Sequence, residues 1–382
     1  HDSVERFTSL GVDCVQGDAR ILSPWEVEVN GATISARNII IASGARPRVP
    51  DIPGLQALDY LTSDTVWDIR EAPTHLLVLG AGPIGCELAQ AFARLGTRVT
   101  LVTHAARILP REVAEVSAAV AATFVSHGMT LHTGYEPLEF RLEADGQKAT
   151  FNTADGQREL DFDRVLVAVG RHANVEAMGL EELEIPLTAT GTVAVDEHLR
   201  TRVPTIFACG DVAGPYQFTH MASHQACYAT VNALFGRFRK FKVDYSIVPW
   251  ATFTDPEVAR VGLNEQDALE QGIEFEVTRY DIDDLDRAIA DSEAHGFIKV
   301  LTVPGKDRIL GATIVGYHAA ELLAEFVLAM KHGIGLGTIL GTIHVYPTLG
   351  ESNRFLASEW RKARKPEKLL SWVERYHSWC RR

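Results

Sequence analysis

The chain has 382 residues, 46% of them hydrophobic and 23% charged, with a formal net charge of −13. That length exceeds one ordinary core and implies two or three domains, while no apolar run reaches the roughly 20 residues of a membrane-spanning helix, so a soluble globular protein is expected. The negative charge argues against nucleic acid, with no basic patch expected in the body of the chain, and five scattered cysteines (Cys14, Cys86, Cys209, Cys227, Cys380) exclude a disulfide framework and suit a reducing cytoplasm.

The opening "HDSVERFTSLGVDCVQGDARI" has neither an apolar secretory core nor a basic leader and reads as mid-domain sequence, with more chain expected upstream of His1. Two segments then share a pattern: "NIIIASGARP" at Asn38 to Pro47 and "RVLVAVGRHA" at Arg164 to Ala173. Each is an apolar run ending in glycine, which predicts a buried strand whose tip, Ser43–Gly44 or Gly170–Arg171, lets the backbone come close to a ligand. Between them, "HLLVLGAGPIGCELAQAFARLGTRVTLV" predicts a strand from Leu76, a helix to Leu95 and a second strand after Gly96, a βαβ unit. The stretch "EADGQKATFNTADGQREL" predicts hairpins at its two Asp-Gly pairs. Helices are expected over Thr219 to Phe235 and Ala319 to Lys331, with a strand-turn-strand at "GFIKVLTVPGKDRILGATIVG".

Gly80, Gly82 and Gly85 of "GAGPIG" fit GxGxxG, where glycines allow a tight turn, backbone approach to a pyrophosphate and close helix packing. Placed between strand and helix, they predict dinucleotide binding. An acid at the end of the second strand would signal NADH. Thr103 stands there with His104 and Arg107 near it, so NADPH is the expected ligand, NADH the alternative.

The ordered set "IIIASGARPRVPDIPGL", "GAGPIGCELAQAFARLG", "VLVAVGRHANV", "TIFACGDVAG", "FTDPEVARVGL" and "HVYPTLGE" resembles the FAD-dependent pyridine nucleotide-disulfide oxidoreductases, which include lipoamide dehydrogenase, glutathione reductase and mercuric reductase. The resemblance implies an α/β fold with glutathione-reductase-like nucleotide-binding domains, the FAD domain incomplete, and an α+β dimerisation domain. Its divisions would be a partial FAD-binding domain at 1–70, an NAD(P)-binding domain at 71–190, an FAD-domain return at 191–242, an interface domain at 243–365 and a basic tail at 366–382. It further implies a homodimer that passes electrons from NAD(P)H through FAD and a cysteine pair to an acceptor.

By the same resemblance, Gly210 and Asp211 close the FAD site, Asp211 accepting from the ribityl chain, and Met221 and Ala222 open a helix aimed at the flavin. Glu87 would sit beside the nicotinamide, and Pro83 stands where some relatives carry a gating tyrosine. The family's first βαβ unit and its CxxxxC pair have no counterpart in these residues. Their loss would expose apolar strand surface and leave this chain alone a poor enzyme; their place is expected upstream. Cys86 and Cys209 read as packing residues, and no metal-ligand set is expected.

In "TIHVYPTLGES", the resemblance puts Tyr346 where thiol-disulfide members have a basic histidine, with Glu351 retained as the orienting acid. A phenol with pKa about 10 is a poor base near neutral pH. His344 is either a substitute base or structural. The acceptor implied is a small molecule or a metal ion such as Hg(II), with Tyr346 contributed across the dimer. The rival reading is a non-catalytic fragment that keeps nucleotide binding and dimerisation, or a dihydrolipoamide dehydrogenase-like enzyme. In the tail, Leu369, Trp372, Val373, Tyr376 and Trp379 share helical spacing. They are expected to dock on the protein's own surface or on a dimer partner, and membrane contact is not expected.

Overall fold

The strand His75–Leu79, the helix Pro83–Arg94 and the strand Arg98–Thr103 form the βαβ unit expected from the sequence. The structure, a computed structural model, describes residues 3–143 and 146–381. It divides into two units, residues 1–48 with 171–244 and residues 49–170 with 245–382.

In the larger unit, four parallel strands run in the order Arg164–Val167, His75–Leu79, Arg98–Thr103, Thr130–Thr133. Alternate side chains of the central strand feed two cores, Leu76 and Val78 on one face, Leu77 and Leu79 on the other. The first core is completed by Cys86, Ala89 and Phe92 of the glycine-loop helix and by Val116, Val120 and Phe124 of the helix Ala114–Ser126. The second is completed by Phe140, Phe151 and Phe162 of an antiparallel meander, Glu136–Glu143, Gly146–Thr153 and Gly156–Phe162. A sheet buried on both faces explains the continuous apolar runs. Of the two expected hairpins, the second closes where Thr153 pairs with Gly156; the first turn, Ala144 and Asp145, lies outside the described residues.

The same unit holds a five-stranded antiparallel sheet in the order Pro249–Thr252, Glu257–Gly262, Ile309–Gly316, Phe297–Thr302, Glu276–Asp281. The helices Ala319–Lys331 and Glu351–Lys362 pack on it through Leu323, Phe326, Leu356 and Trp360. Charges join this sheet to the nucleotide-binding layers. Arg260, 4% exposed, faces Glu112 at 3.5 Å and Asp267 at 2.9 Å, and lies over the Trp250 ring at 4.4 Å. Trp250 Nε1 donates to Glu112 Oε1 (3.2 Å). Burial raises the Glu112 carboxyl above its ordinary range and Arg260 opposes the rise. Lys299 and Arg279 add ion pairs to Glu115.

The smaller unit contains a parallel pair, Ile39–Ile41 with Ile206–Ala208, an antiparallel pair, Ala45–Pro47 with Arg171–Ala173, and a three-stranded sheet from Ala19 to Ser35. The expected helix Thr219–Phe235 is present. Among the described residues the strand Ile39–Ile41 pairs on one side only, and Ile40 is 37% exposed, in keeping with the expected apolar surface.

Two expectations are corrected. The body of the chain does carry a basic run, since Arg237, Arg239 and Lys240 are exposed around Phe238. Of the two places expected for the tail, its own surface or a dimer partner, the first is not taken: in the helix Glu367–Cys380 every described side chain except Val373 is exposed. Among the described residues no helix is long and apolar enough to cross a membrane.

Removing the cation from a buried pair strands its partner, which costs about 3–5 kcal/mol. Arg260→Met is therefore expected to lower unfolding free energy by about that amount in urea denaturation, and Arg260→Met with Glu112→Gln by clearly less.

Candidate functional site

Gly80 has φ +108°, and a Cβ there would lie 2.4 Å from the Ala168 carbonyl; a Cβ on Gly85 would lie 2.0 Å from Gly80 O. These two glycines let the two strand tips and the helix converge. Gly82 differs, because a Cβ there meets nothing within 4 Å and its φ is −76°. The backbone would accept a side chain at Gly82, so the space beside it is open to a ligand. Gly82 caps the helix without a side-chain hydrogen bond and Pro83 follows, so the first-turn amides keep no side-chain acceptor and suit a pyrophosphate.

At the end of the second strand Thr103 is buried, its Oγ1 accepting from Ala105 N at 3.2 Å. His104 is exposed. Arg107 is engaged elsewhere, donating to the carbonyls of Glu112 and Pro110 and to Gln266 Oε1. It fastens the loop instead of standing ready for a phosphate. Gly170, at the tip of the neighbouring strand, has φ +116° and open space around it.

Glu87, one turn into the glycine-loop helix, accepts from Phe253 N through Oε1 (2.8 Å). Burial raises its carboxyl above the ordinary range, only partly offset by that bond. The segment bearing Phe253 is held by Gln90, which donates to Asp255 O and accepts from Asp255 N, each at 2.7 Å. Sequence reasoning missed Gln90; its signal is an amide on the buried face of an otherwise apolar helix. Asp255 also lies near His295 and Glu293, the one trio of metal-ligand type among the described residues, but it is ion-paired with Arg94.

In the smaller unit, the Asp211 side chain is 21% exposed and its carboxylate lies 3.5 Å from Arg171 Nε. Arg171 Nη2 donates to Ala45 O at 2.5 Å. Gly210 has φ +77° and its N–H donates to Gln225 Oε1; Gln225 in turn donates to Gly214 O, both at 2.7 Å. This fully buried glutamine, also unread in the sequence, fastens the Asp211 loop to the helix that starts at Thr219, where Met221 is buried and Ala222 half-buried. Ser43 Oγ donates to Asn174 O at 2.7 Å, and Gly44 has φ +68°. Asp211, the Gly210 turn and the helix start fit the ribityl and flavin side of FAD. Among the described residues of this unit there is no second GxGxxG cradle for its pyrophosphate, so the fit is to that part of the cofactor alone.

The closing segment is held differently from expectation. Tyr346, 66% exposed, donates its hydroxyl to Asp286 Oδ2 at 2.8 Å, which raises the phenol above its ordinary value. Glu351 accepts from Thr348 N at 3.3 Å, and the acid that orients Tyr346 is Asp286. His344 has both ring nitrogens occupied, Nε2 at 3.0 Å from Glu325 and Nδ1 at 3.1 Å from Thr342 O. Asn353 donates to the other Glu325 oxygen at 2.9 Å. The His344 ring is thereby held between Glu325 and the Thr342 carbonyl. Cys86 is fully buried and pushed up to about 12 by burial; Cys209 is also buried and raised. Both are packing residues.

Because a side chain at Gly82 is tolerated by the backbone and enters only the ligand space, Gly82→Val is expected to leave the melting temperature nearly unchanged. It should weaken dinucleotide binding by roughly 100-fold, about 2.8 kcal/mol, measured by calorimetric titration.

Residues 3–226 match the family described as pyridine nucleotide-disulphide oxidoreductase, and residues 248–355 match its dimerisation domain. The chain is 34% identical to a mercuric reductase of Streptomyces lividans over 92% of its own length and 76% of the relative's. A mercuric reductase of Staphylococcus aureus is 33% identical over 93% of this chain and 64% of the relative. A dihydrolipoyl dehydrogenase of Chlamydia muridarum is 36% identical over 88% and 72%. Among solved structures, the HOCl-induced flavoprotein disulfide reductase of Escherichia coli superposes with TM-score 0.83 at 27% identity, covering 91% of this chain and 79% of that one. A Cu(II) complex of its C43S mutant superposes with TM-score 0.85 at 26% identity, covering 93% and 81%. The fold is that of glutathione-reductase-like flavoprotein disulfide reductases, enzymes that use FAD and NAD(P)H and associate through the dimerisation domain. The chain belongs to the pyridine nucleotide-disulphide oxidoreductase family.

Proposed function

We propose that this chain binds NADPH on the glycine loop and supplies the closing segment of an oxidoreductase site whose acceptor is reduced without a general base, a thiolate-bound metal ion such as Hg(II) being the class that fits. The observation carrying this reading is the pair Tyr346 and His344. A phenol that donates to Asp286 and is raised above its ordinary value stays neutral at physiological pH, and the His344 ring is engaged by Glu325 on one side and the Thr342 carbonyl on the other. Disulfide exchange needs a group to take up and return the thiol proton. A soft metal ion held by thiolates needs electrons instead.

On the nucleotide side, the first-turn amides after Gly82 receive the pyrophosphate, and Glu87 Oε2 is left to accept from the nicotinamide carboxamide while Oε1 holds Phe253 N. FAD, when bound, would relay the reducing equivalents from nicotinamide toward the acceptor. In this reading Asp211 accepts from the ribityl hydroxyls, and the helix start at Thr219 favours negative charge on the flavin. The partial identity of the chain with mercuric reductases and the Cu(II) complex of the neighbouring structure support a metal-ion acceptor. Dimerisation would bring the Tyr346 segment to the partner subunit's site.

NADPH is preferred over NADH because no carboxylate stands at Thr103, and with Arg107 engaged, His104 is the basic side chain left to face a 2′-phosphate. His104→Glu is expected to weaken NADPH by roughly 10-fold, about 1.4 kcal/mol, and to change NADH little, in parallel calorimetric titrations. Equal loss for both nucleotides would remove the 2′-phosphate role, and no binding of either to the wild-type chain would overturn the nucleotide reading.

A further inference from the structure

The last 22 residues, from Arg361, carry eight Lys or Arg and two Glu, a net charge of +6 in a chain whose total is −13. Within them the helix Glu367–Cys380 follows Pro366. At 100° per residue, Leu369, Trp372, Val373, Tyr376 and Trp379 fall on one arc of about 120°. This arc is uncovered: Leu369 is 54% exposed, Trp372 62%, Tyr376 50% and Trp379 72%. Trp372 and Tyr376 stack at 6.0 Å on this face.

The charges are sorted around that face. Arg375 borders it on one side and His377 on the other, while Glu367 and Glu374 project from the opposite face. Further cations, Arg361, Lys365 and Arg381, are exposed at the two ends of the segment, whereas Lys362 pairs with Glu359 and Arg364 with Glu276. Pairing this face with the same face of a second copy would bring cationic borders together without an acid between them. The helix has 14 residues, about 21 Å at 1.5 Å each, too short to span a bilayer. Tryptophan and tyrosine carry an apolar ring with a polar tip, which suits the boundary between headgroups and acyl chains.

We propose that Glu367–Cys380 is a membrane-surface helix that lies in the plane of an anionic lipid layer, with Trp372, Tyr376 and Trp379 at the acyl boundary and Arg361, Lys365, Arg375 and Arg381 against the headgroups. It is independent of the redox reading, since it uses no residue of the nucleotide or closing segments. Its chemistry is that of amphipathic interfacial helices, in which apolar insertion and attraction to anionic lipid act together.

The test is sedimentation of the full chain with vesicles of phosphatidylcholine alone and of phosphatidylcholine mixed with phosphatidylserine, alongside analytical ultracentrifugation without lipid. The chain is expected to pellet with the mixed vesicles, to remain largely soluble with phosphatidylcholine, and to be released as salt screens the headgroups. Trp372→Asp with Trp379→Asp, and separately Arg361→Glu with Lys365→Glu, should each reduce the bound fraction at least 10-fold with circular dichroism unchanged. No pelleting with mixed vesicles overturns the proposal, as does pelleting that the tryptophan substitutions leave intact. Loss of the dimer in the tryptophan variant without any vesicle binding by the wild type would likewise overturn it and assign the face to a second copy.

Discussion

The contact between Glu112 and Arg260 holds the nucleotide-binding layers to the five-stranded sheet, and the geometry of the glycine loop follows from it. Both side chains are buried, so neither is tolerable without the other. Glu112 ends the loop that Arg107 fastens through the Glu112 carbonyl, and within that loop the Leu109 N–H donates to Ala81 O inside "GAGPIG". Leu109 adopts φ +45°, a conformation that a branched side chain keeps only when its surroundings impose it. A second tie runs parallel to the first, with Gln90 clamping Asp255 and Glu87 receiving Phe253 N. The dinucleotide cradle is therefore shaped from two sides by the sheet that carries the family's dimerisation domain, and the two regions form one unit.

What the sequence discloses and what it hides divide by distance along the chain. The βαβ unit and the helices Thr219–Phe235 and Ala319–Lys331 were legible because periodicity and glycine punctuation act locally. The partners that set the chemistry come from far away: Gln90 meets Asp255 165 positions on, and Tyr346 meets Asp286 60 positions back. No local pattern marks Asp286 or Glu325, so the sequence points to Glu351 as the orienting acid and leaves His344 between a substitute base and a structural role, whereas the fold gives Tyr346 to Asp286 and His344 Nε2 to Glu325. Arg107 shows the opposite case, a partner close in sequence: the Glu112 carbonyl, five residues away, engages its guanidinium.

The tail shows the same limit. Helical spacing identified an apolar face, and only the fold showed that the chain itself does not cover it. Spacing says that a face needs a partner, while the pattern of charges around the face selects which partner.

The chemical reading turns on the protonation of one phenol. Substitution of tyrosine for histidine need not by itself remove a base, because a phenol beside cations could ionise near neutral pH. Here the neighbour is a carboxylate, which stabilises the neutral phenol and moves its ionisation upward. The most direct measurement is an ultraviolet titration of tyrosinate in the wild-type chain against Tyr346→Phe, with Asp286→Asn as the control. The account predicts that the difference signal, which isolates Tyr346, rises at a higher pH than that of an ordinary tyrosine and moves down in Asp286→Asn; ionisation of Tyr346 near neutral pH would contradict it.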